Sequence, residues 1–143
     1  MKKYGVIKFV TVILAAVMLV SAAACGGAGK ASELSFKNEL SVDVDNFYVS
    51  PSDQTDWNDP VSDDRIGSGK TIGFDFAKFG GAEGMTVDIG AIDSSGMNYD
   101  VYEVVLRVGD CIILSGSATA AVYTITHADG TSETHTAETY SND

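Results

Sequence analysis

The chain has 143 residues, 9 of them basic and 20 acidic, which leaves room for a single domain. Three of the basic residues, Lys2, Lys3 and Lys8, fall in an N-terminal leader with no acid, so residues 25–143 hold 6 basic and 20 acidic side chains and a net charge of about −14. Nucleic-acid binding begins with Lys and Arg neutralising phosphates, so this surface excludes nucleic acid as a partner.

Phe9 to Ala24 is an uncharged run of 16 residues. It is short of the roughly 20 residues a membrane span needs, and it suits the apolar region of a secretory signal. Small residues gather at Ser21-Ala22-Ala23-Ala24, where a peptidase needs slim side chains, and Cys25 follows at once. The stretch resembles a bacterial lipoprotein signal, although Ala22 stands where such signals usually carry Leu. The resemblance implies that Cys25 is the lipidation site and that the first residue of the mature protein is this cysteine. The expected organisation is a signal peptide over 1–24, a Gly- and Ala-rich flexible tether over 25–33, a β-domain over 34–138 and a tail over 139–143. With Cys25 lipidated, the expectation for Cys111 is a small buried hydrophobe outside any disulfide.

From Leu34 onward, short alternating runs separated by turn residues mark an all-β domain. Val42 and Val44 share one parity while Phe47 and Val49 share the other, which predicts a bulge near Asp45-Asn46. Pro51 to Gly69 is a loop in which Asp53, Asp56, Asp59, Asp63 and Asp64 surround Trp57. Clustered hard oxygen ligands suit Ca²⁺, but the spacing from Asp53 lacks the Gly and the final Glu of a calcium-binding EF-hand loop, and a solvated acidic loop is the plainer reading. Gly67-Ser68-Gly69-Lys70-Thr71 ends like a phosphate loop, yet position 64 is Asp and a strand pattern follows, so a turn between strands is expected.

Ile72, Phe74 and Phe76 alternate with Thr71, Gly73 and Asp75, and Met85, Val87, Ile89 and Ala91 alternate with Thr86, Asp88 and Gly90. Tyr99 to Val108 is rich enough in β-branched residues to be a strand buried on both sides, and Cys111 to Leu114 reads as another. Residues 121–137 predict a hairpin closed by Asp129-Gly130. A two-residue turn there pairs His127 with Ser132 and Thr124 with His135. The two imidazoles then point to opposite faces, which argues against a shared zinc. The predicted architecture is an antiparallel β-sandwich of about eight short strands.

One further resemblance involves Asn38 through Val44, Phe47-Tyr48-Val49-Ser50-Pro51, Trp57, Asp59 and Ile66-Gly67. These residues are similar to a pattern in small bacterial exported proteins of uncharacterised function. That pattern has an Asn-rich start, Ile-x-x-Leu-Tyr-x-Ser-Pro, then Trp-Gly-x-Asp-x-Leu-Gly. Val87-Asp88 and Ile92-Asp93-Ser94-Ser95-Gly96 echo its later turns. Asn58 stands where the pattern has Gly, and Glu39-Leu40 where it has Asn-Thr-Gly. The resemblance implies a compact β-domain and no activity.

Neither a nucleophile elbow nor a cofactor motif is legible, so the expectation is a protein without enzymatic activity or cofactor. The chain reads as a monomeric, extracytoplasmic module, tethered to the bacterial membrane through lipid at Cys25, that binds an envelope protein or a glycan. Trp57 and Tyr48 are the candidate binding residues. The alternatives are a structural or accessory envelope lipoprotein without a ligand, and calcium-dependent binding through the 53–64 loop.

Overall fold

The computed structural model describes residue 3 and residues 32–142. Nine strands run in chain order: β1 Leu34–Asn38, β2 Val44–Pro51, β3 Thr71–Phe74, β4 Thr86–Asp93, β5 Met97–Val105, β6 Cys111–Ser115, β7 Val122–Thr126, β8 Ser132–Thr136 and β9 Glu138–Ser141. The regular helical structure among the described residues is one short 3-10 turn, Phe76–Phe79, where the expected β3 alternation gives out after Phe74. The strands form two sheets, ordered β3-β1-β6-β7-β8 and β2-β4-β5-β9. All pairings are antiparallel except β1 with β6. The all-β sandwich follows from the alternation of apolar and polar side chains along these strands, with one strand more than expected.

The two sheets meet on an aromatic ladder. Phe36 of β1 stacks on Phe47 of β2 with ring centroids 3.8 Å apart. Phe47 then meets Phe74 edge-on, and Phe74 meets Phe79 of the 3-10 turn. Leu34, Ile89, Leu106, Ile112, Leu114, Tyr123 and Ile125 are buried around it. Each such side chain contributes about 1.5–3 kcal/mol by leaving water. The bulge expected near Asp45-Asn46 is present, with the β2–β4 register shifting between Val44 and Asn46.

The edge strand β2 is covered by the long loop that follows it. Val61 donates to the Phe47 carbonyl, and Ile66 bridges to Val44. Buried Asn38 pins this arrangement, donating to the carbonyls of Val42 and Ile66 and accepting from the Leu40 amide. A loop folded along an exposed strand removes a template for pairing with another chain.

Several expectations are corrected. The tail expected over 139–143 is instead mostly β9, which completes the second sheet against β5. The strand expected over Tyr99–Val108 ends at Val105, and Val105 and Val108 are exposed. Cys111 is disulfide-bonded rather than a thiol. The second cysteine in the sequence, Cys25, lies outside the described residues.

The β7–β8 register is one residue away from the expected one, because Ala128-Asp129-Gly130 forms a three-residue loop with Gly130 at φ 88°. Tyr123 therefore faces His135, and Ile125 faces Glu133. That shift puts His127 and His135 on the same face, not on opposite faces. Glu133 lies between them, with one carboxylate oxygen 3.6 Å from each Nε2.

Candidate functional site

The side of the second sheet turned away from the aromatic core carries a concentration of polar groups. Strand alternation and register decide which residues share it: Ser50 faces Asp88, Tyr48 faces Gly90, Gly90 faces Asp100, and Asp100 faces Glu138. One row further along, Ile92 faces Asn98, which faces Tyr140. Outward positions on a sandwich are ordinarily wet. Here Ser50, Asp88, Asn98 and Asp100 are all buried.

Trp57 closes over this face. Its ring sits 5.9 Å from that of Tyr48. Gly90 makes the approach feasible, since a Cβ there would come within 3.0 Å of the Trp57 ring and 2.9 Å of the Asp100 carboxylate. The loop is held down by Asn58, which donates to the Phe79 carbonyl.

Asp100 is the most strongly perturbed carboxylate on the face. Burial pushes its pKa up to about 6, with help from the charges of Glu138 and Asp88, against hydrogen bonds from Tyr140 and Tyr102. Both hydroxyls donate to Oδ2, at 2.6 Å from Tyr140 and 3.1 Å from Tyr102. Burial likewise raises the Tyr48 hydroxyl, and the Asp59 carboxylate adds to it.

Asp88 is held differently. Its Oδ1 accepts from the Ser52 hydroxyl at 2.7 Å and from the Glu103 amide at 3.0 Å. The amide is turned toward Asp88 by a bulge, where the β4–β5 register shifts between Val87 and Ile89 and Glu103 takes φ 57°. A non-glycine residue in that region costs about 1–3 kcal/mol, which the surrounding pairing must hold in place. The other oxygen, Oδ2, receives the ammonium of Lys3 at 3.0 Å, and each of the two side chains is only 6% exposed. The same ammonium donates to the carbonyls of Pro51 and Gln54, and it lies 5.2 Å from the centre of the Trp57 ring. All three N–H donors thus have acceptors beside an aromatic face. The neighbouring Ser50 hydroxyl is fully buried without a hydrogen-bond partner.

The sequence-derived candidates divide. Trp57 and Tyr48 belong to this face, although Trp57 is buried at 7% exposure rather than displayed as an open patch. Asp53, Asp56, Asp59, Asp63 and Asp64 are all exposed. Among the described residues, no group of three His, Cys, Asp or Glu side chains is placed to hold a metal ion. Gly67 to Lys70 is a turn leading into β3, with Gly69 at φ 80°. His127 donates through Nδ1 to the buried Asp110 at 2.7 Å, tying the β5–β6 turn to the β7–β8 hairpin. Cys25 lies outside the described residues.

Asp88, Asp100, Gly90 and Ser50 escaped the sequence reading, although one signal was present. An aspartate in the middle of a strand otherwise apolar enough to be buried on both sides is a group that must find partners. Comparison with protein-family models, curated proteins and solved structures finds no match for this chain.

Proposed function

We propose that the protein is an exported, lipid-anchored β-sandwich module that acts by binding, and that its binding surface is the polar sheet face beneath Trp57. The observation that carries this reading is the burial of Ser50, Asp88, Asn98 and Asp100 on the side of the sheet away from the core. Folding gains nothing from desolvating carboxylates where water was accessible, so such an arrangement is kept for what it holds.

Binding is favoured over catalysis by how Asp100 is enclosed. A carboxylate titrating near 6 suits acid–base work, but two tyrosine hydroxyls occupy Oδ2, and Oδ1 lies against Gly90 beside the Trp57 ring. The acidic, aromatic character of the face suits a cationic ligand. An envelope polypeptide fits it better than an anionic glycan or headgroup.

Export is supported by the basic start, the apolar run and the small residues before Cys25, whereas the disulfide at Cys111 competes with the anchor for the one other cysteine of the sequence. One sulfur cannot carry both a lipid and a disulfide, so the anchored molecules are those in which Cys25 is not cross-linked. In cells expressing the full chain, labelled fatty acid is expected in the protein and absent from Cys25→Ser. The labelled band should sediment with membranes and migrate identically with and without reductant. Equal labelling of Cys25→Ser, or a labelled band that shifts on reduction, would overturn the anchor.

A further inference from the structure

Asp88, the Pro51 and Gln54 carbonyls and the Trp57 ring together make a seat with the chemistry of one ligand class, a primary ammonium on a flexible alkyl stem. Three acceptors lie at 2.9–3.1 Å from Lys3 Nζ, matching the three donors of an –NH₃⁺ group. Trp57 adds a cation–π contact on a further side. A guanidinium would present a planar fork to acceptors arranged around a point, so the geometry selects lysine over arginine. The occupant is also recognised through its backbone, because the Lys3 amide donates to the Thr55 carbonyl at 3.1 Å. Side chain and main chain are thus read together, as they are in a peptide and are not in a free amine. The orphaned Ser50 hydroxyl, paired in register with Asp88 on the same face, is a buried polar group still available to an occupant.

We propose that this seat binds a lysine side chain presented by another polypeptide, and that Lys3 fills it until the leader is removed. The inference rests on the reading that residues 1–24 are cleaved: cleavage takes away the built-in occupant and leaves Asp88 held only through Oδ1. The uncleaved chain is self-occupied and the processed chain is competent, so partner binding is confined to molecules that have reached their destination. Peptides rich in basic residues are also the partners that a surface of about −14 net charge attracts at long range.

The sole tryptophan is Trp57, so its fluorescence reports the seat without a label. Three probes separate the possibilities: N-acetyl-lysine N-methylamide, its norleucine counterpart, which lacks the ammonium, and n-butylamine, which lacks the backbone. Each is titrated into processed protein purified from membranes, and into the full chain made by cell-free synthesis in detergent micelles. Processed protein should show a saturable change with the lysine probe and none with norleucine. Asp88→Asn should weaken it about tenfold to a hundredfold, the value of a hydrogen bond to a charged group. The unprocessed chain should respond only weakly, and Lys3→Met in that chain should restore the response, a gain that misfolding cannot imitate.

Equal responses to lysine and norleucine probes would overturn the ammonium seat, and a butylamine response equal to that of the lysine probe would overturn recognition of a polypeptide. An unprocessed chain binding as tightly as Lys3→Met would overturn self-occupation. N-terminal sequencing of the membrane-derived protein is read separately. A retained leader there overturns cleavage, while the Lys3→Met arm still decides whether the seat exists.

Discussion

The hydroxyl of Tyr140 donates to Oδ2 of Asp100 across 2.6 Å, joining the last strand of the chain to the middle of the second sheet. The bond gives β9 a purpose beyond closing an edge: it carries the better of the two tyrosine donors that keep a buried carboxylate satisfied. Tyr140→Phe removes that donor while the ring stays. Chemical denaturation at neutral pH, where Asp100 is ionised, should show a loss of about 1.5–3 kcal/mol. The loss should shrink in acid, where the protonated carboxyl has less need of the donor. A variant equally destabilised at both pH values would show that the Tyr140 hydroxyl contributes independently of the charge on Asp100.

Asp100 itself makes stability depend on pH in a direction opposite to that of most carboxylates. Its folded-state pKa is raised, mainly by burial, from 3.8 to about 6. The folded state therefore binds the proton more tightly than the unfolded one. This contribution is fully present below the unfolded value and is lost as the pH rises through about 6. At about 1.4 kcal/mol per unit, the loss is roughly 3 kcal/mol. Asp100→Asn should match the parent in acid and exceed it by up to about that amount at neutral pH, as followed by urea denaturation across the range. Parallel pH profiles for parent and variant would show that the carboxylate is not desolvated as described.

Much of the fold was legible because strand periodicity is a local property. Phe74, the series Val87, Ile89 and Ala91, and the parity break before Phe47 marked strands and a bulge that the structure has, although in β4 the intervening Asp88 and Gly90 are buried as well. The hairpin register was harder, because Asp129-Gly130 fits both two- and three-residue loops. The choice is made by Gly130 at φ 88° and by the Gly130 amide bonding to the His127 carbonyl. The site was mostly invisible for a different reason. Ser50, Asp88 and Asp100 come from three strands, and only the pairing places them on one face, in adjacent rows beneath a tryptophan from a fourth segment. A run such as Asp53 to Asp64 is conspicuous in sequence because its charges are adjacent, yet adjacency on a loop leaves them all in water.

Asn38, one of the residues in the likeness to exported proteins, holds the fold rather than the ligand. It is fully buried, and its amide satisfies the carbonyls of Val42 and Ile66 and the amide of Leu40. Asn38→Ala leaves the buried Ile66 carbonyl and Leu40 amide, and the part-buried Val42 carbonyl, to find other partners, so a loss of about 2–3 kcal/mol is expected in thermal or urea denaturation. Hydrogen exchange should rise first at Ile66 and Val44, where the covering loop is pinned. A variant with parental stability would mean that water replaces the side chain at little cost.

Gly90 offers the sharpest test of the arrangement beneath Trp57, because the smallest possible addition is already too large. A methyl group there would lie 2.9 Å from the Asp100 carboxylate and 3.0 Å from the indole ring, and neither neighbour has an easy retreat. Asp100 is held by Tyr102 and Tyr140, and Trp57 by its packing on Tyr48 and by the Asn58 bond to Phe79. The weaker attachment is the loop, so Gly90→Ala should lift Trp57 rather than distort the sheet. Emission from the single tryptophan should move to longer wavelength and become more accessible to a soluble quencher. The cost in stability should be about 1–3 kcal/mol, the usual range for overpacking a filled site. The far-UV spectrum of the two sheets should remain unchanged. Unaltered emission together with parental stability would show that Trp57 does not rest on Gly90, and the enclosure of the polar face would have to be explained without it.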